Sequence, residues 1–144
     1  MAEVYRSDVI DAPAARVWAA VRDFNGLPNW APNVADSRME GGAPADRIGA
    51  VRNFRLRDGG TIRERLLALD DRARSCTYAI LESDMAVRNY VATIALLPIT
   101  DGERTFAEWR AEWDCDRADE PALVRLIGDD VFAAGLAALR RRFA

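Results

Sequence analysis

The sequence predicts an α+β domain in which a curved antiparallel sheet of about seven strands meets one long C-terminal helix, with two short helical pieces after the first strand. Three observations carry this. Stretches of alternating apolar and polar residues follow one another from Val34 to Cys115. Turn residues punctuate them at Asp58-Gly59-Gly60 and Thr100-Asp101-Gly102. From Glu120-Pro121 onward, Val124, Gly128, Phe132, Gly135, Leu136, Leu139 and Phe143 can share one broad helical stripe. A meander and an amphipathic helix must bury their apolar faces together, and a sheet curled around the helix can leave a cavity between them. Gly128 and Gly135 remove side chains from the helix face, which either opens that cavity or lets the helix pack closely.

Glu3 to Ile10 alternates as an opening strand. Asp11-Ala12-Pro13 starts a helix to about Asp23, with Asp11 as cap, Pro13 in the first turn, and Ala14, Val17, Trp18 and Val21 as the apolar stripe. Pro28, Pro32 and Gly26 forbid its continuation, so a short second helix or structured turn follows, with Phe24 and Trp30 folding back on the core. Val34 to Met39 is a short strand, and Gly41 to Asp46 a loop. After the hairpin discussed next, a strand from about Arg74 to Leu81 puts Cys76, Tyr78 and Ile80 on one face. Glu82 to Val87 is a polar turn, and Arg88 to Pro98 places Tyr90, Ala92, Ile94 and Leu96 together. Arg104 to Cys115 alternates cleanly, with Ala107, Trp109, Ala111 and Trp113 inward. Arg140, Arg141 and Arg142 suit the negative end of the last helix.

The hairpin from Gly49 to Asp71 carries the main functional signal. A loop of Asp58-Gly59-Gly60 sets Arg57 opposite Thr61, Phe54 opposite Glu64 and Arg52 opposite Leu66. One face then holds Arg52, Phe54, Leu56, Ile62, Glu64 and Leu66; the other holds Val51, Asn53, Arg55, Arg57, Arg63 and Arg65 as a solvated basic face. A two-residue loop would instead mix the faces, so the face pattern selects the longer one. Arg52 and Glu64 become diagonal neighbours on an apolar face, where charge is costly unless paired or used.

Composition narrows the function classes. The 144 residues suffice for one domain, residues 1–144, with a real core. The net charge of −3, with arginines dispersed among acids, gives no reason to expect nucleic acid or an anionic membrane. No stretch is apolar for the length of a membrane span, and the first residues lack the regions of a signal peptide, so a cytoplasmic protein is expected. Cys76 and Cys115 read as free thiols. The absence of histidine removes histidine-based triads and zinc sites, and no GxGxxG or GxxxxGK[ST] is present, so neither metal nor cofactor is expected.

The layout, with the phrases IDAPAARVWAAVRDFNGLPNWAPNV, GAVRNFRLRDGGTIRERLLALDD and RNYVATIALLPI, resembles the polyketide cyclase/dehydrase branch of the START-like superfamily, whose fold is the helix grip. The likeness covers essentially the whole chain. Within that branch, Gly49-Ala50-Val51-Arg52, Glu64-Arg65-Leu66-Leu67-Ala68-Leu69-Asp70 and the setting of Tyr90 resemble the pocket of plant lachrymatory-factor synthases. The resemblance implies a pocket of Arg52, Glu64, Tyr78 and Tyr90.

Those residues suit cofactor-free proton transfer. Burial raises the pKa of Glu64 while Arg52 opposes it; Glu64 would move the proton, Arg52 would stabilise an oxyanion, and Tyr78 and Tyr90 would donate hydrogen bonds. Arg52, Glu64 and Tyr90 are the candidate catalytic residues, and Tyr78, Phe54, Trp109, Trp113 and Phe132 the candidate substrate contacts. The competing reading is a salt bridge closing one end of the sheet beside core aromatics. The expected function is binding of a small hydrophobic ligand by a cyclase, dehydratase or isomerase; the alternatives are a carrier of lipid, polyketide or isoprenoid, or an interaction module with a filled core. The expected state is monomer or homodimer.

Overall fold

The computed structural model describes residues 1–144. The strands are β1 (Ala2–Ile10), β2 (Val34–Met39), β3 (Val51–Leu56), β4 (Thr61–Asp70), β5 (Ser75–Glu82), β6 (Arg88–Ile99) and β7 (Arg104–Asp114). They form one antiparallel seven-stranded sheet in the order β1-β7-β6-β5-β4-β3-β2. Strands β2 to β7 are the expected meander. β1 lies beside β7, so the chain crosses from one sheet edge to the other between β1 and β2. That crossing is made by α1 (Ala14–Val21) and a single 3-10 turn at Leu27–Asn29.

The stripe of α1 is buried as expected, at Ala14, Val17, Trp18 and Val21. Its start differs: Pro13 occupies the cap position and no side chain caps it, so Asp11 has no capping role. The Pro13 carbonyl accepts from the Arg16 and Val17 amides at 3.0 and 3.2 Å. Trp18 instead donates its indole N–H to Asp71 at 2.8 Å, tying α1 to the β4–β5 turn. Phe24 and Trp30 are buried against the sheet.

The C-terminal helix runs without a break through α2 (Glu120–Arg125), a π-helical stretch (Leu126–Ala133) and α3 (Ala134–Arg142). The wide turn inserts an extra residue, so the buried positions are Leu123, Ile127, Phe132, Leu136 and Leu139, and Val124 is only half-buried. A strictly 3.6-residue stripe starts one residue late for this reason. Both inward glycines serve close packing. A Cβ on Gly128 would lie 2.7 Å from a Val4 methyl, and one on Gly135 would lie 2.9 Å from the Trp109 ring. Phe132 stacks on Trp109 with ring centres 4.4 Å apart, and Trp30 lies 5.7 Å from Trp109 on another side. One continuous core results.

The outer hairpin face is partly neutralised by acids of the adjoining segments. Arg55 pairs with Asp36 on β2, and Arg63 bridges Glu40 at 2.6 Å and Glu82 at 3.0 Å.

Candidate functional site

Arg52 and Glu64 stand directly opposite each other on β3 and β4. The hairpin loop sets this. Leu56 N–H donates to the Gly60 carbonyl at 2.7 Å, and Gly59 N–H donates to the Leu56 carbonyl at 3.0 Å. The loop is therefore Arg57-Asp58-Gly59, with Gly59 at φ 97°, a left-handed conformation that glycine adopts without a Cβ penalty. The expected loop had this length but began one residue later. The pairing consequently shifts by two residues: Phe54 faces Ile62, not Glu64, and Arg52 faces Glu64, not Leu66. A shift of two preserves the faces, so both charged residues still point inward.

Both are buried, at 5% exposure each. Arg52 Nε donates to Glu64 Oε1 at 2.8 Å, and Arg52 Nη2 lies 2.7 Å from the same oxygen. Arg52 Nη1 donates to the Phe24 carbonyl at 3.0 Å. The guanidinium carbon lies 3.9 Å from the Phe24 ring centre and 4.8 Å from that of Tyr78, both within cation–π range. Burial pushes the Glu64 carboxyl above its ordinary range; the Arg52 charge and hydrogen bond pull it back without cancelling the effect.

Next to the pair, Trp109 Nε1 donates to the Tyr78 hydroxyl at 3.0 Å. Burial pushes both tyrosine hydroxyls far above the ordinary phenol range, so they stay protonated and able to donate. Tyr90 is aimed inward where the sheet opens. The β5–β6 ladder runs only from Ser75–Ala95 to Ala79–Val91, and β6 is irregular between Arg88 and Val91, with Asn89 at φ 52°. Beyond that point Ile80 and Tyr90 face the interior without pairing across.

These residues line a cavity of about 720 Å³ between sheet and C-terminal helix. That lies within the range of ligand pockets, roughly 300–1,000 Å³. Arg52, Glu64, Tyr78, Tyr90, Phe54 and Trp109 all contribute to its wall. Trp113 and Phe132 do not: they are sealed behind it, Trp113 stacked on Tyr90 at 6.0 Å and Phe132 on Trp109. Cys76 is buried and absent from the lining, and burial raises its thiol to about 11. Exposed lining residues mark the mouth: Pro32, Asn33, Arg57, Asp58, Thr61, Asp84, Leu126 and Val131. A cavity of this size is at odds with a filled core.

Sequence reasoning missed the helix side of the wall, Leu123, Leu126, Ile127 and Val131, together with Met85 from the β5–β6 loop. The fourfold spacing of Leu123, Ile127 and Val131 was the signal that could have found the helix residues. Met85 had none, because loop conformation is not periodic.

No curated protein matches the sequence. Among solved structures, a protein from Thermobifida fusca is 34% identical with a TM-score of 0.90, covering 99% of this chain and 93% of that one. The protein XoxI from Bacillus cereus is 30% identical with a TM-score of 0.88, covering 99% and 96%. A START superfamily protein from Mycobacterium smegmatis, at 14% identity and a TM-score of 0.80 over 98% and 96%, shares the helix-grip fold. No helix is long and apolar enough to cross a membrane. The family model for polyketide cyclase/dehydrase and lipid transport matches residues 1–144, and the chain belongs to that family.

Proposed function

We propose that this protein, in the cytoplasm and without a cofactor, binds a small hydrophobic molecule in the cavity and rearranges it by proton transfer, as a cyclase, dehydratase or isomerase. The observation that carries this is a buried carboxyl, Glu64, lining an otherwise largely apolar cavity. Its raised pKa brings it nearer the range where a carboxyl both takes and returns a proton. Arg52 holds the carboxyl in place, and the protonated Tyr78 and Tyr90 can donate to a developing oxyanion. Apolar walls exclude the water that would compete for the proton. The likeness of the four residues to the pocket of lachrymatory-factor synthases supports acid–base chemistry here.

The test is native mass spectrometry of freshly purified protein, followed by extraction of whatever is bound and incubation of it with fresh protein. A new product formed by the wild type and not by Glu64→Gln supports catalysis, and equal turnover by Glu64→Gln removes Glu64 as the proton carrier. Recovery of the ligand unchanged favours the second reading, a carrier, to which the lipid-transport branch of the family description points.

A further inference from the structure

The cavity's polar atoms are unequally committed, and this selects the chemistry of the ligand's buried end. Every nitrogen of Arg52 already has an oxygen within 3.0 Å: Glu64 Oε1 for Nε and Nη2, the Phe24 carbonyl for Nη1. The rings of Phe24 and Tyr78 crowd the same guanidinium. Both contacts to Glu64 converge on Oε1, so Oε2 accepts no hydrogen bond from the chain. Nor is Oε2 sealed off: the buried, partnerless polar atoms are Trp30 Nε1 and Trp113 Nε1, and neither residue lines the cavity. Oε2 therefore reaches the cavity as a free acceptor on a side chain that is 5% exposed. Tyr78 accepts from Trp109, which leaves its own O–H to donate, and the Tyr90 hydroxyl lies beside that of Tyr78 on the same wall.

We infer that the cavity takes a neutral apolar alcohol, phenol or enol whose hydroxyl donates to Glu64 Oε2 and accepts from a tyrosine hydroxyl, and that it rejects carboxylates. The Arg52–Glu64 pair is neutral as a unit. A ligand carboxylate beside it would be an uncompensated buried charge next to a free carboxylate oxygen. A ligand lacking a donor would leave Oε2 desolvated and unpartnered. A hydroxyl satisfies both sides at once.

The inference rests on the ligand-binding reading above and is tested apart from it. Calorimetric titration compares 2-naphthol, 2-methoxynaphthalene and 2-naphthoate on the wild-type protein. The expected order is 2-naphthol tighter than 2-methoxynaphthalene by roughly tenfold to a hundredfold, with 2-naphthoate weakest. In Glu64→Gln, Arg52 keeps the side-chain oxygen and turns the NH₂ into the cavity, so the preference for the hydroxyl should fall to within about threefold. Equal wild-type affinities for 2-naphthol and 2-methoxynaphthalene would overturn the donor assignment while leaving the pocket intact. Binding of 2-naphthoate as tight as that of 2-naphthol would overturn it too. Failure of all three to bind would overturn the ligand-binding reading and the inference together. Should Glu64→Gln not fold, the wild-type series alone decides.

Discussion

Replacing Arg52 by methionine tests whether the Arg52–Glu64 pair is a desolvated unit. The side chains are 6% and 7% exposed and in contact at 2.7 Å, so the change strands a carboxylate in the wall of an apolar cavity. Breaking a buried pair from one side costs about 3–5 kcal/mol, a large share of the roughly 5–15 kcal/mol that holds a domain together. The hydrogen bond to the Phe24 carbonyl is lost as well. In the double variant Arg52→Met/Glu64→Leu the stranded charge is gone, and well-packed apolar replacements of an ion pair are neutral to stabilising by about 1–4 kcal/mol. Urea denaturation of wild type, single and double variants, extrapolated linearly, measures both differences. The pH dependence adds a sign. Without Arg52 the Glu64 carboxyl rises further above its ordinary 4.5. Its protonation then favours the folded state, and the stability this contributes is complete below 4.5 and disappears as pH rises through the raised value. The deficit of Arg52→Met should therefore shrink on acidification. A deficit below about 1 kcal/mol, typical of an exposed pair, would refute the reasoning. So would a double variant no more stable than the single one.

Three other outcomes follow from the geometry. Gly128→Ala should lower the melting temperature, because about 1–3 kcal/mol of overpacking against Val4 outweighs about 1 kcal/mol of helix propensity; a stabilised variant would show that β1 yields freely. The Glu40 carboxyl is held at about 2 chiefly by its hydrogen bond from Arg63, so its contribution to stability is present above the ordinary 4.5 and lost as pH falls toward about 2. Glu40→Gln should show a shallower acid loss of stability than wild type, and identical acid transitions would count against the pairing. A thiol reagent at neutral pH should label half-buried Cys115 and spare Cys76, whose thiol is raised to about 11, until denaturant is added; two thiols reacting in the folded protein would contradict its burial.

Much of the site was readable residue by residue. Period-2 alternation put Arg52, Phe54, Glu64, Tyr78, Tyr90 and Trp109 on inward faces, and each is buried there. The reason is local: successive Cβ atoms point to opposite sides of a strand whatever its partners do. Trp113 faces inward for the same reason and Phe132 lies on the buried stripe of the C-terminal helix, yet neither pattern can say whether an inward ring meets a cavity or another ring. Here Tyr90 and Trp109 stand between them and the open space.

The sequence by itself determined the element types, the inward faces and the acidic–basic pair within the hairpin, because dihedral preference, side-chain alternation and turn chemistry act over a few residues. Only the tertiary structure decided the rest. The start of the β3–β4 loop, one residue earlier than its glycines suggested, set Arg52 opposite Glu64. The placing of β1 beside β7 joined residues about a hundred positions apart, a pairing no local pattern encodes. The π-helical stretch moved Leu123 and Ile127 onto the buried face. Above all, the convergence of two guanidinium nitrogens on Glu64 Oε1, which leaves Oε2 free, depends on how two strands, the Phe24 carbonyl and two aromatic rings meet in space. Hydrogen-bond directions among side chains are set by their neighbours in three dimensions, and the chemistry of the cavity follows from them.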